Sequence, residues 1–191
     1  MSFINLLTNM QEKDKEIRSN RWGLRMNKME LLMAKHQYLD YVFTENMPYR
    51  LAGYCSNEVV FINLTRNKTI AEKLVTLAEE TGHYMTGAGN IREQKTVIDW
   101  KQENKARRWG NQYIVTLDEL IHCWHKGYKS PYEIATELEV TEECVQDAIE
   151  SYRITRGMSF QYKEYQIKFI TDLNLEITKL SGEISSFTYN N

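Results

Sequence analysis

Three residues in the middle of the chain combine side-chain types and a spacing that can do chemistry. Glu79 and His83 are four positions apart, so on a helix they project from one face and can bind one metal ion. Glu80 lies about 100° further round the helix. Zinc peptidases use this layout in the His-Glu-x-x-His motif, where two ligands hold Zn²⁺ and a neighbouring carboxylate takes a proton from the bound water. Here glutamate stands in the first ligand position.

A catalytic zinc also needs a third protein ligand and one open position. The next predicted helix offers Glu103, and a ligand from an adjacent antiparallel helix is the gluzincin arrangement. Small Ala106, one turn further on, would let that helix come close. Glycine inside a helix costs about 1 kcal/mol relative to alanine, so we expect a neighbouring backbone to approach Gly82. The predicted ligand set is Glu79, His83 and Glu103, completed by water.

Each of these side chains also has an ordinary alternative role. A carboxylate on a helix is commonly a solvated surface charge, and a histidine is commonly a hydrogen-bonded residue of the core. Glu103 has two cationic neighbours on its own helix, Lys101 and Arg107, and either can form a salt bridge with it. The spacing alone leaves these alternatives open.

A second cluster of metal-binding residue types is weaker. His122 and His125 are three positions apart on a predicted helix, with Cys123 between them. No fourth group at a recognisable spacing supports a metal site, so we interpret this segment as packing around Trp124. We interpret His36, on a helix face with apolar neighbours, as a histidine at the edge of the core.

The elements that must position these residues are mostly helical. We predict an α+β fold, mainly helical, with a small antiparallel sheet and the active helix packed beneath it. Pro48 is expected to end the first helix, and Asn67 or Thr65 to cap the central one. Ser130 and Glu133 form a predicted capping box around Pro131. The predicted elements are a helix over 28–45, a hairpin of 49–54 and 58–63, a helix reaching residue 84, and helices over 93–112, from 116, from 130, from 141 and over 160–182.

Residues 130–149 have the apolar spacing of a helix-turn-helix. A helix that reads DNA should present Arg, Lys, Asn or Gln to the base edges. This second helix instead carries Glu142, Glu143, Asp147 and Glu150, which would repel phosphate. We therefore interpret it as a structural helical pair that helps to shape a substrate groove.

Composition limits the class of protein. The chain has 191 residues, 42% of them hydrophobic, and a net charge of −2, which gives no global electrostatic argument for binding nucleic acid. Three widely spaced cysteines favour a reducing compartment over a disulfide framework. We find neither a signal-peptide pattern nor an apolar run long enough to cross a membrane. A cytoplasmic location is the expectation.

The order and spacing of several segments resemble the ImmA/IrrE family of metallopeptidases, over roughly residues 28–157. The matching segments are Tyr49-Arg-Leu-Ala-Gly53, Val59-Val-Phe-Ile-Asn63, Leu77-Ala-Glu-Glu-Thr-Gly-His-Tyr-Met-Thr86, Glu103-Asn-Lys-Ala-Arg-Arg-Trp109, Tyr132-Glu-Ile-Ala135, Leu138-Glu-Val-Thr-Glu142 and Ile149-Glu-Ser-Tyr152. Members of this family are cytoplasmic zinc peptidases, common in phages and mobile elements, and several cleave a helix-turn-helix repressor.

The resemblance implies a role for each site residue. Glu80 becomes the general base, His83 and Glu103 become metal ligands, and Glu79 occupies the first ligand position. It also implies a zincin-like active-site helix. The predicted regions are a helical arm over 1–27, a zincin-like metallopeptidase domain over 28–115, a helix-turn-helix-like region over 116–157, and a C-terminal helix and tail over 158–191.

One residue departs from the family pattern. The family has histidine where this chain has Glu79, although a variant with glutamate there resembles some phage-type members. A carboxylate oxygen is an acceptable zinc ligand, but two carboxylates make a harder site, which can favour Mn²⁺ or Fe²⁺. Two negative ligands also weaken the ion as a Lewis acid, so low activity is expected.

The resulting hypothesis is a metal-dependent endopeptidase that cleaves a helix-turn-helix repressor or similar regulatory protein. Its expected cofactor is zinc, with manganese or iron as alternatives. A hairpin edge at residues 59–63 is expected to align an extended substrate by strand addition. Two other hypotheses remain: a non-catalytic peptidase-like protein that binds a repressor or other regulator, and a DNA-binding regulator that uses residues 130–156.

Overall fold

The computed structural model describes residues 26–87, 97–170, 175–180 and 183–186. Within these ranges the chain forms helices and two separate sheets, which confirms the prediction of a mainly helical α+β fold. The predicted arm over 1–27 lies outside the described residues except for its last two. So do residues 88–96, where a loop and the start of the next helix are predicted.

The element boundaries are as follows. The helices are α1 (Lys28–Lys35), α2 (Ile70–Thr86), α3 (Val97–Ile114), α4 (Leu117–His125), α5 (Pro131–Leu138) and α6 (Glu142–Arg156). The strands are β1 (Asp40–Thr44), β2 (Gly53–Ser56), β3 (Val59–Asn63), β4 (Ser159–Tyr162), β5 (Tyr165–Phe169), β6 (Leu175–Lys179) and β7 (Glu183–Ser186).

The first sheet has the order β1-β3-β2. Strands β2 and β3 form the predicted antiparallel hairpin, whereas β1 runs parallel to β3. The predicted helix over 28–45 is therefore wrong beyond α1. Residues 40–44 gain a ladder of backbone hydrogen bonds with β3, and such tertiary pairing overrides a local helical spacing. The helix consequently ends at Lys35, ten residues before the predicted end at residue 45.

The position of β3 corrects a second expectation. Because β3 has a paired strand on each side, residues 59–63 offer no edge to a substrate. The strand that lies at the edge of this sheet, on the side away from β1, is β2.

The second sheet is an antiparallel meander of β4 to β7 in sequence order. The predicted helix over 160–182 is wrong, and so is the predicted C-terminal helix of the 158–191 region. Tyr165, Ile167 and Phe169 are buried while Lys168 between them is exposed. That alternation with a period of two suits a strand with one face on a core. Lys163, at φ 53°, makes the turn between β4 and β5.

Capping side chains fix where the helices begin. The predicted capping box of Ser130 and Glu133 is confirmed. Helix α2 starts later than expected, because Thr69 is its N-cap and shares a capping box with Glu72. Asn67 has another role: its amide donates to the carbonyl oxygens of Ala52 at 2.8 Å and Asn63 at 2.9 Å. These bonds tie the start of α2 to the first sheet.

Two apolar clusters form the core. The larger cluster joins α2 to α4, α5, α6 and the second sheet, and the smaller one lies between α1, α2 and the first sheet. Helix α2 contributes to both, with Leu74 and Ala78 in the larger cluster and Leu77 in the smaller. Across the described parts of the chain, no helix combines the length and apolar character that crossing a membrane requires.

Candidate metal centre

The central helix α2 presents the residues that the sequence singles out. Its apolar side is fixed by burial in both cores, so its rotation about its own axis is set. Glu79 and His83 then project together toward α3, while Glu80 projects toward β2. All three side chains are half-buried, which is intermediate between a solvated face and a core.

Helices α2 and α3 touch backbone to backbone. A Cβ atom at Gly82 would lie 2.4 Å from the carbonyl oxygen of Ala106, and one at Gly110 would lie 2.8 Å from that of Ala78. Only glycine fits at such positions. The close approach expected at Gly82 is confirmed, with Ala106 as the predicted small neighbour. Residue 82 meets 106 and residue 78 meets 110, so the helices are antiparallel.

This contact brings Glu103 on α3 to the two residues on α2. Ligand atoms of Glu79, His83 and Glu103 all lie within 4.8 Å of one another. The imidazole Nε2 of His83 is 3.3 Å from a carboxylate oxygen of Glu103, and these side chains are only 14% and 18% exposed. The sequence therefore predicted the grouping correctly, while the role of each residue as a ligand stays a prediction.

Arg107, one turn beyond Glu103, contacts both carboxylates. Its Nε donates to Glu79 at 3.1 Å, and a terminal nitrogen lies 3.9 Å from Glu103. The sequence suggested Arg107 as a partner of Glu103 on the same helix, but its shorter contact reaches across to α2. The pairing with Glu79 was missed because i,i+4 spacing reveals partners on one helix and not on the next.

Burial and charge act against each other in the pKa values of this centre. Burial alone would lower the pKa of His83, but the hydrogen bond with Glu103 and the nearby carboxylates outweigh it and raise that pKa. The same hydrogen bond holds the pKa of Glu103 below its ordinary value. Burial raises the pKa of Glu79, although Arg107 opposes the shift. The four groups therefore form a compact network in which the His83 imidazole contacts Glu103 and the Arg107 guanidinium contacts Glu79.

Glu80 occupies a different environment, beneath the edge strand β2. A Cβ atom at Gly53 would come within 2.7 Å of the Glu80 side chain, so glycine on β2 makes room for it. The backbone N–H of Cys55 donates to the Glu80 carboxylate. Burial, the largest influence, raises the pKa of Glu80 to about 8. Glycine within a strand was the available signal for this contact, and sequence reasoning did not use it.

The second histidine pair does not form a common site. His122 contacts Glu137 at 3.2 Å, whereas His125 contacts the hydroxyl of Tyr165 at 2.7 Å on the second sheet. Cys123 is buried between them. Of all the described residues, only Glu79, His83 and Glu103 bring three such ligand atoms together. The interpretation of residues 122–125 as packing and surface contacts therefore fits the structure.

His36 lies in the core as expected, 3% exposed, with its Nδ1 2.8 Å from the Tyr38 hydroxyl. It belongs to an aromatic cluster that includes Trp109 and Tyr113 of α3. This cluster supports α3 on the side next to Gly82, because Trp109 also lies beside that glycine.

Helices α5 and α6 form the helical pair that was compared with a helix-turn-helix. Glu139 joins them in a left-handed conformation at φ 56°. Helix α6 packs on α3, where Gln112 donates to Ser151 at 2.7 Å in a buried contact. Glu142 and Glu143 at its start are exposed. The negative charge at the start of α6 would repel phosphate, and the helix is packed against α3. Both features favour the structural interpretation over DNA recognition.

Comparison with known proteins does not assign a family. No protein-family model matches the chain, and no curated protein matches it. The ImmA/IrrE resemblance accordingly stays a prediction, based on the residues that carry it.

Proposed function

We propose that the chain is a metal-dependent endopeptidase that cleaves a helix-turn-helix repressor or a similar regulatory protein. The main support is that ligand atoms of Glu79, His83 and Glu103 lie within 4.8 Å of one another. Glu80 follows Glu79 directly on α2. Two carboxylate oxygens and one imidazole nitrogen are donors that zinc accepts. Manganese and iron remain alternatives, because the set is richer in oxygen than the family's usual one.

The size of the cluster fits a single ion. Two atoms that are each about 2.1 Å from the same ion lie at most about 4.2 Å apart. The ligand atoms of the three residues lie within 4.8 Å of one another, which is close to that limit. When bound, such an ion would polarise a carbonyl group and lower the pKa of a water molecule.

In this proposal Glu80 moves the proton. A cation bound beside Glu80 would lower its raised pKa, and the ionised carboxylate would then accept a proton from the attacking water and pass it to the leaving amine. The N–H of Cys55 fixes the carboxylate, and the missing Cβ of Gly53 leaves it the room to lie beneath β2. A fixed carboxylate close to, but distinct from, the ligand group is what a general base requires.

Arg107 supports the use of glutamate at position 79. The second carboxylate adds negative charge to a centre where the family has a neutral imidazole. The guanidinium of Arg107, 3.1 Å from Glu79, withdraws part of that charge. Glu79 paired with Arg107 would therefore donate less electron density to a bound ion. This limits the loss of the ion's Lewis acidity that is expected from two negative ligands.

The edge strand β2 is the element we propose for aligning the substrate. It lies at the edge of the first sheet and directly beside Glu80. An extended peptide paired with it would pass the candidate centre. A cytoplasmic location belongs to the same proposal and is supported by three cysteines that are unpaired thiols.

One observation favours a second candidate, a non-catalytic protein that binds a repressor or other regulator. His83 contacts Glu103, and Arg107 contacts Glu79, so each carboxylate has a partner without a metal. A closed network of this kind can be purely structural. Metal content, followed by the effect of Glu80→Gln on cleavage, separates the two candidates.

The first experiment is elemental analysis of the protein purified without chelators and then reconstituted with zinc or manganese. We expect about one ion per chain in the wild type and a loss of binding in Glu103→Ala. Glu164→Ala, which removes an exposed carboxylate in the second sheet, is the control and should keep the ion. A wild type that binds no ion after reconstitution would leave the binding protein as the better candidate.

The second experiment tests the role of Glu80. Glu80→Gln should retain the ion and lose hydrolysis of a panel of purified helix-turn-helix repressors by a factor of about 10² to 10⁴. Unchanged cleavage by the variant would exclude Glu80 as the base. A wild type that binds the metal and its repressor but leaves the repressor intact would support the binding candidate.

A further inference from the structure

A cleft of about 430 Å³ lies between α3 and α6, next to the candidate metal centre but outside it. Asn111 of α3 and Asp147 of α6 meet at 3.4 Å and both line it. Beyond this contact the cleft is bounded by Trp100 and Asn104 on one side and Ile154 on the other. It is open to solvent, and of the residues that line it only Arg107 has a role at the candidate centre.

Helical geometry connects the cleft to the centre through Arg107. Glu103, Arg107 and Asn111 follow one another at intervals of four, so each is turned about 40° from the one before. Glu103 faces the candidate centre and Asn111 faces the cleft. Arg107 lies between them, contacts Glu79 and also lines the cleft. A chain that leaves the centre past Arg107 therefore enters the cleft.

The lining of the cleft fits a peptide. Two large apolar side chains stand exposed at it, Trp100 at 62% and Ile154 at 58%. The α3 wall carries three cationic residues, Lys101, Arg107 and Arg108, whereas the α6 wall carries anionic Asp147 and Glu150. Walls of opposite charge suit a ligand with both hydrogen-bond acceptors and donors, such as a peptide backbone.

We propose that this cleft is a peptide-binding subsite that accepts a bulky apolar side chain of the substrate. The choice of a peptide as the ligand rests on the proposed function. The exposed faces of Trp100 and Ile154 would hold the apolar side chain, and Asn104 and Arg108 would bind the adjacent backbone. The subsite thus selects which peptide bond reaches Glu80.

The test uses the full chain labelled with 5-fluorotryptophan and no added metal, followed by fluorine NMR. The probes are two blocked, alanine-based pentapeptides that differ only in the central residue, leucine in one and serine in the other. The Trp100 resonance, assigned with Trp100→Phe, should shift with the leucine peptide at a concentration about tenfold lower than with the serine peptide. Buried Trp109 and Trp124 serve as internal references.

Matched variants locate the binding. Ile154→Glu should weaken the leucine peptide by about tenfold or more, because a carboxylate replaces one of the two apolar anchors. Ile170→Glu makes the same change at an isoleucine that is 60% exposed elsewhere, and it should leave binding unchanged. A Trp100 resonance that responds to neither peptide, that responds equally to both, or that is insensitive to Ile154→Glu overturns the proposal.

Because binding is measured without metal, its outcome is independent of hydrolysis. Selective binding in a protein that neither holds metal nor cleaves peptides would support the subsite and reject the peptidase. Hydrolysis without any Trp100 response would support the peptidase and reject the subsite.

Discussion

The contact between α2 and α3 and the packing around α4, α5 and α6 are built in opposite ways. The first uses Gly82 and Gly110 and lets backbones touch. The second is filled by large buried side chains such as Trp124 and Ile149. A contact without side chains at its centre leaves space beside it for charged groups held at short range. A contact made of side chains gives stability and leaves no such space. Five predictions test this division, from the largest expected effect to the smallest.

Ile149→Ala should remove about 4 kcal/mol from the free energy of unfolding, since the residue is 1% exposed and belongs to the larger apolar cluster. Urea unfolding measures the loss. The folded fraction should still bind one metal ion per chain with wild-type affinity, because the cavity lies outside the α2–α3 contact. A change in metal affinity would show that the two regions are not separate.

Gly82→Ala should cost about 3 kcal/mol, because its Cβ would lie 2.4 Å from a backbone carbonyl that cannot rotate away. Unlike the change at Ile149, it should also abolish metal binding in the folded fraction by pushing Glu103 away. Gly87→Ala is the control: nothing lies within 4 Å of its Cβ position, and only its φ of 66° opposes alanine, by about 1 kcal/mol. Equal costs at the two glycines would contradict the close contact.

The α2–α3 contact should respond to pH. Its pKa shifts predict that protonated His83 stabilises the metal-free protein below pH 6.5, and that this contribution is lost as pH rises through the raised pKa. The lowered pKa of Glu103 gives stability above pH 4.5 that is lost on acidification.

Zinc requires neutral His83, so its affinity should fall about tenfold for each pH unit below the pKa of that histidine. Thermal unfolding with and without zinc, at a series of pH values, measures the difference. That difference should widen as pH rises and vanish in Glu103→Ala. A difference that does not depend on pH would argue against His83 as a ligand.

Arg107→Ala should strengthen zinc binding about tenfold while it reduces hydrolysis, because it removes a cation that both repels the ion and withdraws charge from Glu79. Arg107→Lys keeps the charge and should change affinity little. Competition with a chromophoric chelator gives the affinities. Weaker zinc binding in the alanine variant would mean that Arg107 mainly holds Glu79 in position.

Lys163→Ala should have the smallest effect, below about 1 kcal/mol. Lys163 pairs with Asp118 and links the second sheet to α4, but these side chains are 44% and 38% exposed. Urea unfolding would detect a larger loss. A cost above about 2 kcal/mol would show that surface charge, and not the apolar cluster, attaches the second sheet.

The part of the candidate site that could be predicted is the part that depends on spacing within a single helix. The i,i+4 rule placed Glu79 with His83, and small Ala106 indicated that the helix carrying Glu103 comes close. Gly53, Gly110 and the reach of Arg107 to Glu79 depend on how elements meet in space. Sequence spacing within one element carries no such information.

The two misassigned segments show how a local period can mislead. Residues 40–44 are a strand because β3 lies alongside, and each pairing partner is nineteen residues away in the chain. In the second sheet, Ile167 and Ile170 mimic a helical spacing of three. The buried set is Tyr165, Ile167 and Phe169, which alternates with a period of two. Here the correct signal was present, and the helical pattern was preferred to it.

The order β1-β3-β2 determines when the candidate centre can assemble during folding. The β2–β3 hairpin closes through two residues, and such hairpins form within about 1–10 μs. Strand β1 precedes β2 in the chain yet, among the strands that the structure describes, pairs only with β3, so it cannot take its place in the sheet before β3 has been made. During synthesis β1 therefore cannot pair until β3 has been made. Glu80 and His83 likewise cannot complete the candidate centre until Glu103 has been made. The centre is complete only after more than half of the chain has left the ribosome.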